Sequence, residues 1–248
     1  GERPLPGLIG SRPPHVIPQS ERNKYPALED LVVDLGLPAR QVAKLVTIGT
    51  PVTFDQQAVA LNGGLVTGKA LDNRVSVAAM TQLLRNLRAR RHEWDVLVAA
   101  TVQEEVGLKG GRTIAFRLQP DIALVVDATF GTGPSVSEEA GGFKLDGGPV
   151  VAIGPNIHQR LFDRVIEAGK DLDMGLPLEP LPGNTGTEAW AIQISQEGIP
   201  TALVSIPVRN MHTPVEVVSV ADIRRTARLL AELITRLDGE TLRRLSLD

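Results

Sequence analysis

The sequence predicts an α/β protein in which helices cover both faces of a central sheet. From about residue 67 onward, apolar runs of strand length alternate with helical patterns, which is typical of this class. Two of these runs, DVLVAATV (95–102) and DIALVVD (121–127), are continuously apolar, as strands buried on both faces are. Residues 1–66 differ, because they are rich in proline and glycine and hold only short apolar pieces. We therefore expect a smaller leading region followed by an α/β domain over residues 67–248.

The elements are predicted in chain order from their hydrophobic periodicity. Small strands and one short helix near PARQVAKL are expected in the leading region. Helices are expected at NRVSVAAMTQLLRNLRARR, GGRTIAFRLQ, IHQRLFDRVIEAGKDLDM and TGTEAWAIQISQEG, and further strands at PVVAIG and IPTALVSIP. The last helix begins at Ser219, has Asp222 three residues later as in a capping box, and ends at Gly239. Its inward face is Leu229, Leu230, Leu233, Ile234 and Leu237.

Composition restricts the function. The formal net charge is −3 with no basic tract, so nothing favours nucleic acid or an anionic membrane as a partner. No apolar run is long enough to span a bilayer, and the leading GERPLPGLIG lacks a signal-peptide core, so we expect a cytoplasmic protein. The chain has no cysteine, so any metal must be held by carboxylates and by the four histidines, which are His15, His92, His158 and His212.

Acidic side chains follow the predicted strands at their carboxyl ends. Glu104 and Glu105 come directly after the strand 95–102, and Asp127 closes the next one. Asp72 opens a helix, and His212 lies shortly after the strand IPTALVSIP. Ligands of open α/β sheets bind beyond the carboxyl ends of the strands. We therefore expect these side chains at one edge of the sheet.

Each residue also has a simpler interpretation. Asp72 alone is more often a helix N-cap, and Asp127 would accept backbone hydrogen bonds in the next turn. Adjacent glutamates such as Glu104 and Glu105 are usually solvated and, on a regular strand, point to opposite faces. A lone His212 is more often a surface residue. It is the coincidence of all of them at one edge that favours a site. The other histidines are expected to be structural or exposed.

Metal binding explains such a cluster. Three ionised carboxylates at Asp72, Glu105 and Asp127 would repel one another unless cations lay between them. Two divalent ions with a bridging hydroxide would bring the site close to neutrality, and oxygen ligands with imidazole suit Zn²⁺, Co²⁺ or Mn²⁺. The neighbouring Glu104 would then be free to act as a general base. An irregular backbone after the strand would let both glutamates face the site.

Several motifs occur in an order that resembles the glutamyl-aminopeptidase family, which includes the tetrahedral (TET) aminopeptidases and proteins once named endoglucanases. They are GLIGSRPPH, ALDNR, QEEVGLKGG, VVDAT, GNTGTEA and GIPTALVSIPVRNMHTPVE. The resemblance implies a phosphorylase/hydrolase-like three-layer sandwich with a central mixed sheet, and a small β-rich dimerisation domain of which residues 1–66 would be part. It also implies homo-oligomers, often dodecamers built from dimers.

By position, the resemblance implies a role for each site residue. Asp72 would bridge two divalent metal ions in each subunit, zinc or cobalt being favoured over manganese. Glu105 and His212 would bind one ion and Asp127 the other, and Glu104 would be the general base. A further histidine ligand of the family, in a His-x-Asp motif, has no counterpart in this sequence, so the second ion is expected to bind weakly or not at all. GTEA stands where the family more often has GTDA, and Asn210 stands where an aromatic residue is usual.

These residues predict a metal-dependent aminopeptidase that removes N-terminal residues from peptides. A glycoside hydrolase is the first alternative, since paired carboxylates can cleave sugars without metal. Against it, the chain has only two Trp, one Tyr and five Phe on which a sugar would stack. The second alternative is an inactive assembly protein that keeps the dimerisation surface but lacks one metal ligand.

Overall fold

The computed structural model describes residues 4–10, 12–21, 23–134 and 136–245. The chain divides into two compact units, residues 1–53 and 54–248. In the first unit, strands β1 (Leu8–Gly10) and β2 (Val32–Asp34) pair antiparallel, and helix α1 (Ala39–Leu45) forms at the predicted PARQVAKL. The sequence suggests a boundary after residue 66. That the leading region takes part in dimerisation stays a prediction.

The second unit is built on a seven-stranded mixed sheet, which confirms the predicted fold class. Six α-helices of the described residues accompany it. The strands are β3 (Val59–Ala60), β4 (Leu65–Gly68), β5 (Ala123–Phe130), β6 (Val150–Ile153), β7 (Leu178–Pro180), β8 (Thr201–Arg209) and β9 (Glu216–Ser219). The helices are α2 (Leu71–Leu87), α3 (Lys109–Leu118), α4 (Gln159–Asp171), α5 (Ala189–Ile192), α6 (Val220–Arg236) and α7 (Gly239–Leu245).

Strand β8 is the centre of the sheet. One of its edges pairs in parallel with β5 from Ala123↔Thr201 to Phe130↔Val208. Its other edge is shared by two antiparallel neighbours, β6 at the middle and β9 near the end. The sheet continues from β9 through β4 to β3, and from β6 to β7. All eight residues of β8 from Thr201 to Val208 are buried, as the apolar run predicts.

The main core lies where α2, α4 and α6 pack together over β6 and β8. The predicted inward residues of α6 are buried, and the side chain of Ser219 caps the helix by accepting a hydrogen bond from Ala221 N. Asp222 does not complete a capping box. It is fully buried and accepts hydrogen bonds from Asp146 N and Gly148 N instead, so it fastens the preceding loop to the helix.

The predicted strand 95–102 is wrong as an element of this structure. Residues 95–101 carry no regular secondary structure, and Leu97 and Val102 are 63% and 70% exposed. A strand exists only where a neighbour accepts and donates its backbone hydrogen bonds. Among the described residues none pairs with this segment, and the strand that pairs with β5 is β8.

The helix expected at TGTEAWAIQISQEG is also much shorter than predicted, since α5 has only four residues. The threonines explain its late start. Thr185 Oγ1 accepts a hydrogen bond from Thr187 N, and Thr187 Oγ1 accepts one from Ala189 N. Such local side-chain bonds compete with helical ones. In the described part of the chain, no helix has the length and apolar character needed to cross a membrane.

Candidate metal centre

Three of the predicted ligands converge. Asp72, Glu105 and His212 each offer one ligand atom, and these atoms lie within 4.8 Å of one another. His212 Nε2 is 3.2 Å from Asp72 Oδ2 and 3.7 Å from Glu105 Oε1. Two carboxylate oxygens and an imidazole nitrogen at this spacing form a donor set that suits a divalent transition metal.

Asp72 owes its position to an irregular start of α2. Ala70 is left-handed, with φ 52°, and Asp72 has φ −78° and ψ 104°, outside the helical region although it lies in the first turn. The peptide bond between Asp72 and Asn73 is cis. The N-cap of α2 is Ala70 and Asp72 lies inside the first turn, so the N-cap interpretation does not describe Asp72. Its carboxylate, only 10% exposed, faces His212 instead.

The two adjacent glutamates lie on a tight turn. Gln103 has φ +61°, a left-handed conformation that is uncommon outside glycine. The carbonyl of Glu104 then accepts hydrogen bonds from Gly107 N and Leu108 N. As expected, the backbone after residue 102 is irregular. The alternation that would send Glu104 and Glu105 to opposite faces of a strand therefore does not apply.

Asp127 lies in the middle of β5 rather than at its end. It is buried, and its Oδ1 accepts hydrogen bonds from Asn73 Nδ2 at 2.6 Å and from Ala128 N at 2.8 Å. It is not one of the three groups that meet within ligand distance. Burial is the main cause that raises its pKa, and the charges of Asp72 and Glu104 are close enough to contribute.

Glu216 joins the two ends of the centre and was not predicted from the sequence. It is 2% exposed, and its carboxylate accepts hydrogen bonds from His212 N at 2.8 Å and from Asp72 N at 3.1 Å. One buried side chain thereby fixes the backbone of two candidate ligands that are far apart in sequence. Only its place in MHTPVE, close to His212, could have signalled it.

We expect Glu216→Ala to lower the free energy of unfolding by about 2–6 kcal/mol, because two backbone donors lose their acceptor and each costs about 1–3 kcal/mol. Urea unfolding of the metal-free protein measures this. Glu216→Gln keeps one acceptor oxygen and should lose about half as much. Equal stability of the alanine variant and the wild type would contradict the structural role.

Glu188 holds the turn that carries Glu104 and Glu105. It is buried, and its carboxylate accepts hydrogen bonds from Gly111 N, at 2.6 Å, and from Thr101 Oγ1. These contacts lie on either side of the turn. A Cβ at Gly111 would come within 2.6 Å of Glu188 Cδ, so only glycine permits this approach. The motif GTEA thus acts on the centre from a distance in sequence.

The carboxyl groups of the centre share one electrostatic property, a pKa that is raised above its ordinary value. Burial above all, together with repulsion between neighbouring carboxylates, raises the pKa of Asp72 to about 6, of Glu104 to about 7 and of Asp127 to about 8. None of the ion pairs in the described part of the chain joins these groups to a lysine or arginine. Crowded acids without a cationic side chain fit a bound cation.

The raised pKa values of these carboxyl groups predict that the stability of the metal-free protein depends on pH. Asp127 has a folded-state pKa of about 8 against the ordinary 3.8, so between these values the folded state holds a proton that the unfolded state releases. The free energy of unfolding should therefore fall as pH rises from 5 to 8, by on the order of 1 kcal/mol per pH unit. Asp127→Asn should flatten the slope in chelator, whereas an unchanged slope would contradict it.

The other histidines lie elsewhere. His158 is the N-cap of α4, where Nδ1 accepts a hydrogen bond from Leu161 N, and His92 contacts the carbonyl of Trp94 through Nδ1. His15 belongs to a short 3₁₀ helix in the first unit. None of them is part of the group formed by Asp72, Glu105 and His212.

The mixed sheet with an acidic, histidine-containing centre at its edge is the arrangement of a metal-dependent hydrolase, and comparison with known proteins defines the class. Residues 1–229 match the model of the M42 glutamyl aminopeptidase family. The chain therefore belongs to this family of metallopeptidases, which are hydrolases of peptide bonds.

Named relatives agree with the family match. The chain is 33% identical over 234 residues to a lysyl aminopeptidase of Pyrococcus furiosus. This alignment covers 93% of this chain and 67% of the relative. A TET aminopeptidase structure from a marine-sediment Thaumarchaeota archaeon is 33% identical with a TM-score of 0.86, covering 97% of this chain and 69% of the other. The TET1 peptidase of Pyrococcus horikoshii is 29% identical with a TM-score of 0.75, over 93% of this chain and 68% of that one.

The chain thus spans about two thirds of the length of these relatives. The relatives are named as aminopeptidases or peptidases, so neither the glycoside hydrolase nor the inactive assembly protein is favoured. A structure named endoglucanase, from Thermotoga maritima, is 22% identical and shows a shared fold alone.

Proposed function

We propose that this chain carries the centre of a metal-dependent aminopeptidase that hydrolyses the N-terminal residue from peptides. The convergence of Asp72, Glu105 and His212 next to Glu104 is the observation that carries the proposal. It joins a donor set for a divalent cation to a carboxyl group suited to proton transfer. The match to the M42 glutamyl aminopeptidase family supports peptide-bond hydrolysis as the reaction.

The cofactor is proposed to be two divalent ions per subunit, zinc or cobalt before manganese. Asp72 would bridge the ions, Glu105 and His212 would bind the first, and Asp127 would bind the second. The first site is the more complete, because its three groups already lie within 4.8 Å of one another. Asp127 has one oxygen engaged by Asn73 and Ala128, so it offers the other. When bound, such ions polarise a carbonyl and lower the pKa of water.

Glu104 is proposed as the general base that takes the proton of the attacking water and returns it to the leaving amine. A group serves both steps best when its pKa lies near the working pH. Burial and the charge of Glu105 raise the pKa of Glu104 to about 7 in the absence of metal. Glu188 keeps the turn in place through Gly111 and Thr101, so the Glu104 carboxylate is positioned by hydrogen bonds outside the centre.

Peptides are the proposed substrates and other copies of the chain the proposed partners. The TET1 peptidase of Pyrococcus horikoshii assembles into a tetrahedron or a large octahedral shell. We propose a homo-oligomer for this protein, with a dimer as the unit of a dodecamer and residues 1–66 contributing to dimerisation. A cytoplasmic location and the absence of a nucleic-acid or membrane partner belong to the same proposal.

The test compares aminoacyl anilides with the same anilides acetylated at the α-amino group. Only the free-amine substrates should be cleaved, a chelator should abolish the activity, and Zn²⁺ or Co²⁺ should restore it. Equal cleavage of the acetylated anilides would exclude an aminopeptidase. Activity on cellulose that persists in chelator would instead support a glycoside hydrolase.

A further inference from the structure

The residue two positions before each of the three converging ligands has a left-handed backbone. These residues are Ala70 with φ +52°, Gln103 with φ +61° and Asn210 with φ +56°. A left-handed conformation costs energy in any residue with a Cβ, and alanine and glutamine are not among the types that adopt it readily. Three segments from different parts of the chain therefore share one strained feature at the same spacing from a ligand.

Helix ends explain some other left-handed residues of the described chain, but they do not explain these three. Gln119 is the C-cap of α3, and Asp173 follows the C-cap of α4, which are positions where a left-handed residue commonly ends a helix. Ala70 instead lies between β4 and α2, Asn210 directly follows β8, and Gln103 follows no helix. Residues held in such a conformation without a need from secondary structure cluster at functional sites.

Hydrogen bonds to backbone carbonyls hold these conformations. The carbonyl of Gln103 accepts a hydrogen bond from Lys109 N, which closes the turn that carries the two glutamates. The carbonyl of Asn210 accepts one from Thr213 Oγ1 at 2.7 Å. Ala70 is fixed as the N-cap of α2, although its side chain makes no capping bond. The left-handed backbone is therefore set by contacts within the chain.

A left-handed residue changes where the side chains after it point. Along a regular strand, successive side chains alternate between two faces and the chain continues in one direction. One residue with positive φ breaks this alternation and turns the chain, as in tight turns. His212 itself has φ +64°, so its segment turns twice. The three segments thereby bring their ligand atoms within 4.8 Å of one another.

We propose that Ala70, Gln103 and Asn210 are positioning residues of the metal centre, and that the left-handed backbone at each one aims the side chain two residues later at the cation. Their side chains then matter only through their tolerance of a positive φ. Glycine should serve as well as the native residue, whereas a β-branched residue should not, because it adopts positive φ least readily. The inference rests on the proposed metal centre, since it concerns the affinity of that centre for its cation.

The test measures Zn²⁺ affinity by competition with a chromophoric chelator, and stability in excess chelator by urea unfolding. Gln103→Val should lower the affinity by about 10–100-fold, the range found when residues that orient metal ligands are changed. Gln103→Gly should keep the affinity of the wild type. Ala70→Val and Asn210→Val should lower it in the same way as Gln103→Val, and glycine at these two positions should not.

Gln119→Val is the matched control. Gln119 has the same side chain as Gln103, is also exposed and has φ +49°, but it ends α3 and lies outside the group of candidate ligands. Valine there should lower the urea midpoint by a similar amount. The Zn²⁺ affinity should stay within about two-fold of the wild type, as for residues that share no partners. The affinity therefore separates a positioning role from a merely structural one.

Unchanged Zn²⁺ affinity in Gln103→Val would overturn the inference. An equal loss in Gln103→Gly would also overturn it, by assigning the role to the side chain, and an equal loss in Gln119→Val would do so by showing a general effect on the fold. Glu105→Gln distinguishes this failure from a failure of the proposed function. If Glu105→Gln binds Zn²⁺ like the wild type, the proposed centre itself is wrong; if it loses Zn²⁺ while Gln103→Val does not, only the positioning role is wrong.

Discussion

Glu104→Gln is expected to reduce kcat for aminoacyl anilides by about 10²–10⁴-fold, the range that general-base catalysis contributes. The amide has nearly the same shape as the carboxylate but cannot accept the proton of the attacking water. Zinc or cobalt content, measured on the same preparation, should stay at the wild-type level, because Glu104 is not one of the three groups that converge on the candidate cation. The variant therefore separates catalysis from metal binding.

Glu197→Gln provides the matched control for this experiment. Glu197 is exposed and lies outside the centre, so the same chemical change there should leave both kcat and metal content unaltered. If Glu104→Gln cleaved anilides at the wild-type rate, the assignment of the general base would be wrong. If it lost metal as well as activity, Glu104 would be a ligand instead.

Asp72→Asn is expected to have opposite effects in the presence and absence of metal. The loss of a central anionic ligand should weaken Zn²⁺ or Co²⁺ binding by on the order of 100-fold or more. Mutation of a residue that only hydrogen-bonds to a metal ligand already lowers metal affinity by about 10–100-fold. In chelator at pH 7.5 the same variant should be more stable than the wild type by about 1–3 kcal/mol, because burial and the charge of Glu105 raise the pKa of Asp72 to about 6 and the neutral amide removes that cost.

Asp121→Asn is the control for this second experiment, because Asp121 is exposed and belongs to no ion pair of the described residues. Titration calorimetry gives the metal affinity, and urea unfolding gives the stability. Unchanged affinity in Asp72→Asn would remove Asp72 from the ligand set. A less stable metal-free variant would show that Asp72 serves the fold and not a cation.

The local signals in the sequence predicted most of the elements of the α/β unit, and the reasons for the errors are physical. β8 and α6 were predicted because long apolar runs and helical periodicity are properties of the segment itself. The segment 95–102 has an equally strong pattern, yet it forms no strand, because strand formation depends on a neighbour that periodicity does not reveal. The threonine bonds that shorten α5 likewise depend on side-chain geometry.

In the candidate site, too, the local sequence predicted some residues, while others depend on partners that are distant in sequence. Asp72, Glu105 and His212 were predicted from their places after strands and at a helix start, and the structure brings them together. The position of Asp127 within β5 was not predicted, because the apolar run gives no sign that the strand continues to Phe130. Glu216 and Glu188 were missed as supports, since their partners lie far away in sequence and only the folded chain joins them.

Anomalous diffraction from crystals grown with Zn²⁺, recorded on both sides of the zinc edge, tests the account most directly. We predict a peak within bonding distance, about 2.0–2.2 Å, of oxygens of Asp72 and Glu105 and of a nitrogen of His212. A weaker second peak beside Asp127 would agree with the less complete second site. Zinc bound only on another surface, with these three side chains free of metal, would contradict the account.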